Sequence, residues 1–433
     1  MWFKLKQIYT QPPQGGFLVA ICYYMNMKIE PKTLKGFRDF LPKEARKRQY
    51  VIDTLRKVFE SYGFEPLETP ALEYAEILEG KYGEEGERLM YKFEDKGGRK
   101  VALRYDQTVP LARVVAQYGS PGSPQLPLPF KRYQISNVWR GENPQKGRFR
   151  EFLQCDIDTV GTSSLLADAE ILELVYESYK KLGLDVIIKI NDRRLLSTIS
   201  TKALTILDKL NKIGEEEVIN ELEQIGMNSE DAKKILSETR SFKASEELRE
   251  IKNLAIKLGC PGDVVKFEQL LIRGLDYYTG LVMEVFLKDS DSNLSLGGGG
   301  RYDDLIGMFS GKSIPAVGFA FGFDRIIDAM EKQGLFQNLE NGTKVLVTIF
   351  SPELLDRSIK VCEVLNSANI NQELYVDPVA RMDKQLKYAD QKGIPYVVIV
   401  GPKEAESGSA TVKNLKTGEQ TTLPVKDLPD FLK

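Results

Sequence analysis

Hydrophobic and polar positions between Pro42 and Gly63 repeat with the period of an α-helix. Leu55, Phe59 and Tyr62 fall on one face, proline suits the first helical turn, and glycine commonly follows the last. Farther along, the pattern predicts strands at 100–104, 130–139 and 150–160, and a second helix at 164–183. The polar, turn-rich stretch GENPQKGR between the last two strands predicts an extended hairpin loop.

Residues 195–262 have a different character. They are rich in Leu, Ile, Lys and Glu, poor in aromatic residues and helical in period, so we predict a helical insertion. Strands are expected again over 270–287. The run Gly297–Gly300 then indicates, taken by itself, a flexible turn, and a further helix is expected to start near Phe321.

After a polar linker at 331–343, short β-type runs alternate with helical segments. The runs are Val345–Phe350, Leu374–Val376 and Tyr396–Val400, and the helical segments are 352–367 and 379–392. This βαβαβ order predicts a small α/β domain over 344–433.

Composition limits the available chemistry. The chain has 433 residues and a formal net charge of −2, which gives no overall preference for nucleic acid. Histidine is absent. A Ser–His or Cys–His nucleophile pair, a histidine metal ligand and an imidazole general base are therefore excluded. Any reaction has to use carboxylates, Arg or Lys, tyrosine, hydroxyls, amides or bound Mg²⁺.

The cysteines and the N-terminus indicate a location. No CxxC pair is formed by the cysteines, which stand at positions 22, 155, 260 and 362. This indicates a reducing compartment and no structural zinc. The apolar run at 17–25 is too short to span a bilayer, so we expect a cytoplasmic protein that is not bound to a membrane. Two interpretations stay open for residues 1–26: an extension upstream of a true start at Met25 or Met27, or a disordered N-terminal arm.

The predicted hairpin around GENPQKGR concentrates residues that suit a nucleotide. Arg140 and Arg148 flank the loop, and guanidinium groups bind phosphate through two parallel hydrogen bonds without ever deprotonating. Glu142 adds an acceptor for a ring N–H, and Phe152 adds a ring on which a base can stack.

One face of the third predicted strand is polar. Phe152, Gln154, Asp156 and Asp158 alternate along it and therefore share that face. Such a face either lines a site or belongs to a solvated edge strand, and the apolar residues between them fit both interpretations equally.

A second group of polar and aromatic residues lies in IRGLDYYTG. Arg273 and Asp276 stand beside Tyr277 and Tyr278, which indicates either a polar pocket or a surface ion pair with aromatic packing. Arg325 stands near the start of the predicted helix, where the helix dipole favours anions. An arginine at that place suits an anionic ligand.

These segments resemble the histidine–tRNA ligases, a family of class II aminoacyl-tRNA synthetases, over nearly all of the chain beyond the N-terminal extension. The most specific likeness is RGLDYYTG at 273–280, and KGFRDFLP at 35–42 and GGRYDDL at 299–305 are also typical. WRGENPQKGRFREF resembles motif 2 of the class and GFAFGFDR motif 3, while the predicted helix at 43–62 with the strand ending at Pro70 resembles motif 1. LRYDQTVP and QCDID resemble the form found in archaeal and eukaryotic members.

The resemblance implies an α+β catalytic domain with an antiparallel sheet at 27–330, which includes the helical insertion at about 195–262. It further implies the linker at 331–343 and a three-layer α/β anticodon-binding domain at 344–433. The implied activity is ATP-dependent activation of L-histidine to histidyl-adenylate and transfer to tRNA(His), with release of AMP and diphosphate.

The resemblance also implies which residues carry out this activity. Arg140 matches the arginine on the α-phosphate of ATP, and Arg273 matches the family's own catalytic arginine on the opposite side. The implied ATP-binding residues are Arg140, Glu142, Arg148, Phe152, which stacks on adenine, and Arg325, on the γ-phosphate side. The implied histidine-binding residues are Asp106 and Thr108 at the α-amino group, with Gln154, Asp158, Tyr277, Tyr278 and Tyr302 around the rest.

Partners follow in the same way. Mg²⁺ is implied together with ATP, without a protein side chain as metal ligand, and motif 1 implies a homodimer. Contacts with tRNA are implied at Asn143, Gln145 and Lys146 in the motif 2 loop and at Arg381, Lys384 and Lys387 on one helix of the C-terminal domain. A solvated helix face is an equally good interpretation for each of the last three.

Two alternatives stay open. A catalytically silent paralogue, the regulatory subunit of ATP phosphoribosyltransferase, resembles the same core. As a class it lacks the C-terminal domain and tends to lose the catalytic arginine, whereas 344–433 and Arg273 are both present here. Synthetases for proline, threonine or glycine share motifs 1 to 3, but RGLDYYTG and QCDID argue against them.

Overall fold

The computed structural model describes residues 30–120, 122–145, 147–272, 277–288, 294–337, 339 and 342–433. The chain divides into two compact units, Met1–Phe336 and Gln337–Lys433. The extension expected at 1–26 lies outside the described residues, as do Lys146 and Arg273. None of the helices within these ranges is both long and apolar enough to cross a membrane.

A mixed sheet forms the centre of the first unit. Its strands and those of two smaller sheets are β1 (Glu65–Pro66), β2 (Leu72–Tyr74), β3 (Lys92–Glu94), β4 (Lys100–Leu103), β5 (Gly119–Ser120), β6 (Leu126–Pro127), β7 (Phe130–Trp139), β8 (Glu151–Val160), β9 (Val186–Asp192), β10 (Val265–Phe267), β11 (Leu281–Leu287), β12 (Gly297–Arg301) and β13 (Ala316–Phe321). Among the described residues, eight strands make the main sheet in the order β1-β7-β8-β13-β12-β11-β9-β10. The pairs β1–β7 and β9–β10 are parallel, and the other neighbours are antiparallel.

Helices cover one face of this sheet. The helices of the first unit are α1 (Pro42–Ser61), α2 (Ala75–Leu78), α3 (Gly83–Leu89), α4 (Thr108–Tyr118), α5 (Leu165–Lys181), α6 (Thr201–Leu207), α7 (Leu210–Ile213), α8 (Glu215–Gln224), α9 (Ser229–Ser241), α10 (Glu246–Leu258), α11 (Gly307–Ser310) and α12 (Phe323–Lys332). Leu55 of α1, Leu172 of α5, Ile251 of α10 and Ile326 of α12 are buried in one core with strand residues such as Ile157. Because side chains alternate along a strand, the polar neighbours of Ile157 point to the opposite face.

The glycine run is part of the sheet and not a flexible turn. Gly297–Gly300 lies within β12, hydrogen-bonded on both sides. The backbones approach closely here, since a Cβ on Gly299 would lie 2.0 Å from the carbonyl oxygen of Gly318. The sequence prediction failed because glycine is depleted in strands and marks turns, except where a close backbone approach requires it.

Two boundaries also differ from expectation. Of the strands expected over 270–287, the described part of this range contains β11, which begins at Leu281. The helix expected near Phe321 begins at Phe323, because the preceding apolar residues form β13. In β13, the small residues Ala316, Gly318 and Ala320 alternate with the larger residues Val317, Phe319 and Phe321, which suits a strand with one open and one crowded face.

The predicted helical insertion contains two packing groups. Leu204, Leu222 and Leu236, from α6, α8 and α9, share a core of their own. Leu248 of α10 belongs to the main core instead, together with α5. The part of the segment 195–262 that packs separately from the main core therefore ends before α10.

The second unit is a three-layer α/β domain, as expected. Its elements are β14 (Val345–Val347), α13 (Leu355–Ser367), β15 (Gln372–Leu374), α14 (Met382–Lys392), β16 (Tyr396–Ile399), α15 (Pro402–Ser407), β17 (Ser409–Asn414), β18 (Gln420–Pro424) and α16 (Leu428–Leu432). The order is β15-β14-β16-β17-β18, with the first three strands parallel. Val345 and Val347 face the side of α13, and Leu346 faces the side of α14. The β17–β18 hairpin was not predicted.

Candidate active site

A cavity of about 510 Å³ opens on the polar side of the main sheet. It brings together predicted site residues that lie far apart in the sequence. Those lining it are Asp106, Thr108, Arg140, Glu142, Arg148, Phe152, Gln154, Asp158, Tyr277, Tyr278, Tyr302 and Arg325. β8, β11, β12 and β13 contribute residues to the wall, and of the predicted residues Phe152, Gln154 and Asp158 stand on β8. Thr108 and Arg325 stand in the first turns of α4 and α12, and the others lie outside the helices and strands.

Facing polar residues connect β7 and β8. The pairs are Arg132 with Asp158, Gln134 with Asp156, and Ser136 with Gln154. Gln154, Asp156 and Asp158 are buried, and β8 has hydrogen-bonded neighbours on both sides. The interpretation of this face as a solvated edge strand is therefore wrong.

Asp158 is buried between Arg132 and Tyr302. Its Oδ2 lies 2.6 Å from Nη2 of Arg132, and the Tyr302 hydroxyl donates a hydrogen bond to Oδ1. Burial raises the pKa of Asp158 to about 6, although the Arg132 charge opposes the shift. A Cβ on Gly318 of β13 would lie 1.9 Å from Oδ1, so glycine is what leaves room for this carboxyl.

Asp106 lies at the start of α4. Its Oδ1 accepts hydrogen bonds from the Tyr82 hydroxyl at 2.8 Å and from the backbone N–H groups of Thr108 and Val109, each at 3.1 Å. Burial raises the pKa of Asp106, and these donors counteract part of the shift. The carboxyl is held in one orientation at a helix N-terminus, which favours its negative charge.

Three tyrosines form an aromatic wall. The ring centroid of Tyr277 lies 4.9 Å from that of Tyr278 and 5.9 Å from that of Tyr302. Tyr278 packs where Gly300 leaves space, because a Cβ there would come within 2.9 Å of its ring. The wall places aromatic surface beside the carboxyl of Asp158, with which Tyr302 is hydrogen-bonded.

Arg140 is anchored by one edge of its guanidinium group. Nε donates to the carbonyl oxygen of Tyr105 at 3.1 Å, and the group lies over the rings of Tyr105 and Phe152, 4.4 Å and 5.1 Å from their centroids. Nearby, Nη1 of Arg148 lies 3.5 Å from a carboxylate oxygen of Glu142. This part of the cavity combines positive charge with an aromatic face, as a nucleotide requires.

Arg325 stands in the first turn of α12, with Nη1 donating to the carbonyl oxygen of Ser295 at 2.8 Å. Its neighbour Asp324 pairs with Arg38 at 2.8 Å and Arg48 at 2.7 Å. The KGFRDFLP segment and α1 therefore brace the start of the helix that carries Arg325.

Other predicted residues stand elsewhere. Asn143 and Gln145 are exposed in the loop between β7 and β8, and Arg381, Lys384 and Lys387 are exposed on the second unit. Nε of Arg381 lies 3.2 Å from Asp383, and Nζ of Lys384 lies 3.8 Å from Asp377. Lys146 and Arg273 fall outside the described residues.

Two buried residues of β7 were not predicted from the sequence. Arg132 has a fully buried side chain, and Gln134 is buried beside it. Arg132 and Gln134 are spaced by two along β7, as Asp156 and Asp158 are along β8. Pairing the two predicted strands across their hairpin loop would have placed Arg132 opposite Asp158.

The antiparallel sheet, the hairpin that carries Arg140 and the first helical turn that carries Arg325 define the catalytic core of a class II aminoacyl-tRNA synthetase. Two family models match the chain. The histidyl-tRNA synthetase model matches residues 36–238 and 189–326, and an anticodon-binding domain model matches 344–433.

Individual relatives agree. The chain is 40% identical to the histidine–tRNA ligase of Rhodopirellula baltica, over 93% of this chain and 98% of that protein. It is 41% identical to that of Aeropyrum pernix, over 91% and 96%. The histidyl-tRNA synthetase structure from Nostoc sp. PCC 7120 superposes with a TM-score of 0.79 at 34% identity, covering 94% of this chain and 99% of that one. The chain therefore belongs to the histidyl-tRNA synthetase family and is an aminoacyl-tRNA ligase.

Proposed function

We propose that the cavity activates L-histidine with ATP and transfers it to tRNA(His), releasing AMP and diphosphate. The observation that carries the proposal is the coexistence of two environments in one cavity. Arg140 and Arg325 supply positive charge beside the Phe152 ring, whereas Asp106 and Asp158 supply buried carboxyls. The first environment suits a nucleoside triphosphate, and the second suits an amino acid with an ammonium group and a ring N–H.

In the first step, a carboxylate oxygen of histidine attacks the α-phosphorus of ATP. The bond from that phosphorus to the oxygen bridging to the β-phosphate breaks, and diphosphate leaves. Negative charge grows on the phosphate oxygens, so fixed arginines stabilise the transition state without a protein base. Arg140 takes one side of the α-phosphate and Arg273 the opposite side, while Arg325 binds towards the γ-phosphate.

The base and the metal complete the nucleotide site. Phe152 stacks on adenine, with Glu142 and Arg148 at its edge. Mg²⁺ bound to a nucleotide is normally held by phosphate oxygens and water, so the metal would enter with ATP, without a protein side chain as ligand, beside the arginines that line the cavity. When bound, Mg²⁺ neutralises phosphate charge.

Histidine binds at the end of the cavity that contains the buried carboxyls of Asp106 and Asp158. Asp158 accepts a hydrogen bond from one imidazole N–H. The Tyr302 hydroxyl turns from Asp158 when the ring binds and donates to the other nitrogen, with Tyr277 and Tyr278 packed around the ring. Asp106 and Thr108 hold the α-ammonium group. The resemblance implies Gln154 only for the rest of the amino acid, and we assign its side chain to the ammonium group as well, because it lines the cavity together with Asp106 and Thr108. An amino acid without ring nitrogens would leave the buried Asp158 without its partner, which is costly.

In the second step, a ribose hydroxyl at the 3′ end of tRNA attacks the carbonyl carbon of the adenylate. The carbon–oxygen bond to AMP breaks, and a phosphate oxygen of the leaving AMP takes the hydroxyl proton. Asn143, Gln145 and Lys146 contact the acceptor end. On the second unit, the exposed cations Arg381, Lys384 and Lys387 contact the anticodon region.

Assembly and location complete the proposal. We place a homodimer interface at the motif 1 region. Tyr50 of α1 is 40% exposed there, and Leu41, directly before that helix, is 71% exposed, so a partner copy would cover apolar side chains. The protein is proposed to work in the cytoplasm. The catalytic domain is assigned to 27–330, and the division at Phe336 falls within the assigned linker, 331–343.

The non-catalytic alternative, a regulatory subunit of ATP phosphoribosyltransferase, has weaker support. Residues 344–433 match an anticodon-binding domain, which a regulatory subunit would not need. Arg140 and Arg325 both line the cavity together with the histidine-binding residues.

A charging assay tests the proposal. The full chain is incubated with ATP, Mg²⁺, total tRNA and one labelled amino acid at a time. We expect ester formation with histidine, on the tRNA that carries the histidine anticodon. Esterification of another amino acid in preference to histidine, or none at all, would contradict it.

A further inference from the structure

Asp156 is a buried carboxyl that the chemistry above does not use. It stands on β8 opposite Gln134 of β7 and next to Ala320 of β13, lines the cavity and is 3% exposed. Burying an ionisable group is costly unless a partner uses its charge. Because Asp156 lies on the cavity wall, the group that uses its charge is expected to lie between Asp156 and the substrate.

Gln154 is that partner. Its Nε2 donates a hydrogen bond to Oδ2 of Asp156 at 2.7 Å. An amide has one donor end and one acceptor end, and an ionised carboxylate only accepts. Ionised Asp156 therefore determines which end of the Gln154 side chain is turned away from it, and that end is the oxygen Oε1.

Gln154 lines the cavity together with Asp106 and Thr108, the residues of the proposed ammonium subsite. The backbone carbonyl oxygen of Gln154 accepts a hydrogen bond from Gln107 Nε2 at 3.1 Å, and Gln107 lies between Asp106 and Thr108 in the chain. The charge of Asp106 also acts on Asp156. An acceptor oxygen that points into this region can accept a hydrogen bond from the positively charged ammonium group of the amino acid.

The charged groups around Asp156 have opposite effects on its ionisation. Arg132 on β7 favours its ionised form, whereas Asp158 on the same strand and Asp106 before α4 disfavour it. Burial is the largest effect, and the pKa of Asp156 is raised to about 7. A protonated Asp156 would offer an O–H, and the amide would then be free to turn its NH₂ group, a donor, towards the cavity.

We propose that Asp156 is a positioning residue for amino-acid binding: it orients the Gln154 amide so that Oε1 accepts a hydrogen bond from the α-ammonium group of the substrate. The inference rests on the proposed histidine site and adds a residue that acts through Gln154. It makes recognition of the ammonium group dependent on a carboxylate that does not touch the substrate.

A double-mutant cycle tests this in the full chain, using two probes. Histidinol carries the ring and the ammonium group, and imidazolepropionate carries the ring without it. We expect Asp156→Asn to weaken histidinol binding about tenfold and to change imidazolepropionate binding less than about twofold. On a Gln154→Ala background, Asp156→Asn should change histidinol binding less than about twofold, because its effect runs through the absent amide.

Four results would overturn the inference. Additive effects of the two substitutions would mean that Asp156 does not act through Gln154. Equal weakening of both probes would mean a purely structural role. If Gln154→Ala leaves histidinol binding intact, the assignment of Gln154 in the proposed function also fails. If Gln154→Ala weakens histidinol binding but Asp156→Asn does not change it, only the inference about Asp156 is overturned.

The pH dependence gives an independent measurement. In the wild type, the ratio of histidinol to imidazolepropionate affinity should fall more steeply than in Asp156→Asn as pH drops through about 7. The ammonium group of one probe and the carboxylate of the other give the two rings different pKa values. Each probe titrates alike in both proteins, so the difference between the proteins isolates Asp156. A wild-type slope that persists in the variant contradicts the inference. If Asp156→Asn does not fold, Asp156→Ala, which offers Gln154 neither a donor nor an acceptor, replaces it.

Discussion

Nη2 of Arg132 lies 2.6 Å from Oδ2 of Asp158 across two neighbouring antiparallel strands, and both side chains are buried. Each charge is removed from water, so each depends on the other for its stabilisation. Under the proposed function Asp158 is also the acceptor for the imidazole ring. One ion pair therefore links the stability of the sheet to the choice of substrate.

Removing the arginine should destabilise the first unit. Arg132→Met leaves Asp158 buried without its partner, which costs on the order of 3–5 kcal/mol when one member of a buried pair is lost. Urea unfolding followed by tryptophan fluorescence measures the change. The matched double variant Arg132→Met/Asp158→Asn, which buries no unpaired charge, should recover much of the loss. An unfolding curve of Arg132→Met equal to the wild type would contradict the account.

Gly318→Ala should impair histidine binding without impairing ATP binding. The new Cβ would lie 1.9 Å from Oδ1 of Asp158, so the carboxyl has to move, and overpacking of this kind costs roughly 1–3 kcal/mol. We expect KM for histidine to rise by more than about tenfold, with KM for ATP within about twofold. Gly342→Ala is the matched control, because nothing lies within 4 Å of its added Cβ. A wild-type KM for histidine in Gly318→Ala would contradict the assigned position of Asp158.

The proposed role of Arg273 has a direct test. Arg273→Ala should abolish histidine-dependent pyrophosphate exchange, a loss of at least about 10²–10³-fold, because a donor that acts on transition-state charge is removed. Histidine binding, measured by calorimetry, should stay measurable. Arg140→Ala serves as the comparison and should give the same separation. Exchange near the wild-type rate in Arg273→Ala would show that its catalytic assignment is wrong.

Stability should fall as pH rises through about 7. Burial raises the pKa of Asp156 to about 7, whereas an unfolded aspartate titrates near about 3.9. Between these values the folded state keeps a proton that the unfolded state has lost, so this contribution is largest at the acidic end and disappears above the folded pKa. Urea midpoints from pH 5 to 8 should decline less in Asp156→Asn than in the wild type. Parallel declines would contradict the assigned burial effect.

Much of the architecture follows from residue pattern. The helix from Pro42, the long strands on both sides of GENPQKGR and the βαβαβ unit of the C-terminal domain are confirmed, because their apolar periods are regular. The strand at Gly297–Gly300 was not predicted, because a run without side chains has no periodicity. Its glycines are determined by contacts with β13 and Tyr278, which a local pattern does not contain.

For the site, alternation along β8 showed that Gln154 and Asp158 share a face, but it did not show whether that face is buried. Burial depends on β13 pairing with β8 across more than a hundred intervening residues. Arg132 was missed for a related reason: a lone arginine on a strand carries no signal until the facing strand places a carboxylate opposite it.

The most direct test of the central claim is ATP–pyrophosphate exchange by the full chain with each of the twenty amino acids in turn. We expect strong exchange with histidine and only background exchange with the other amino acids, because the buried Asp158 needs a ring N–H as its partner. Exchange driven by an amino acid other than histidine, or no exchange with histidine, would contradict it.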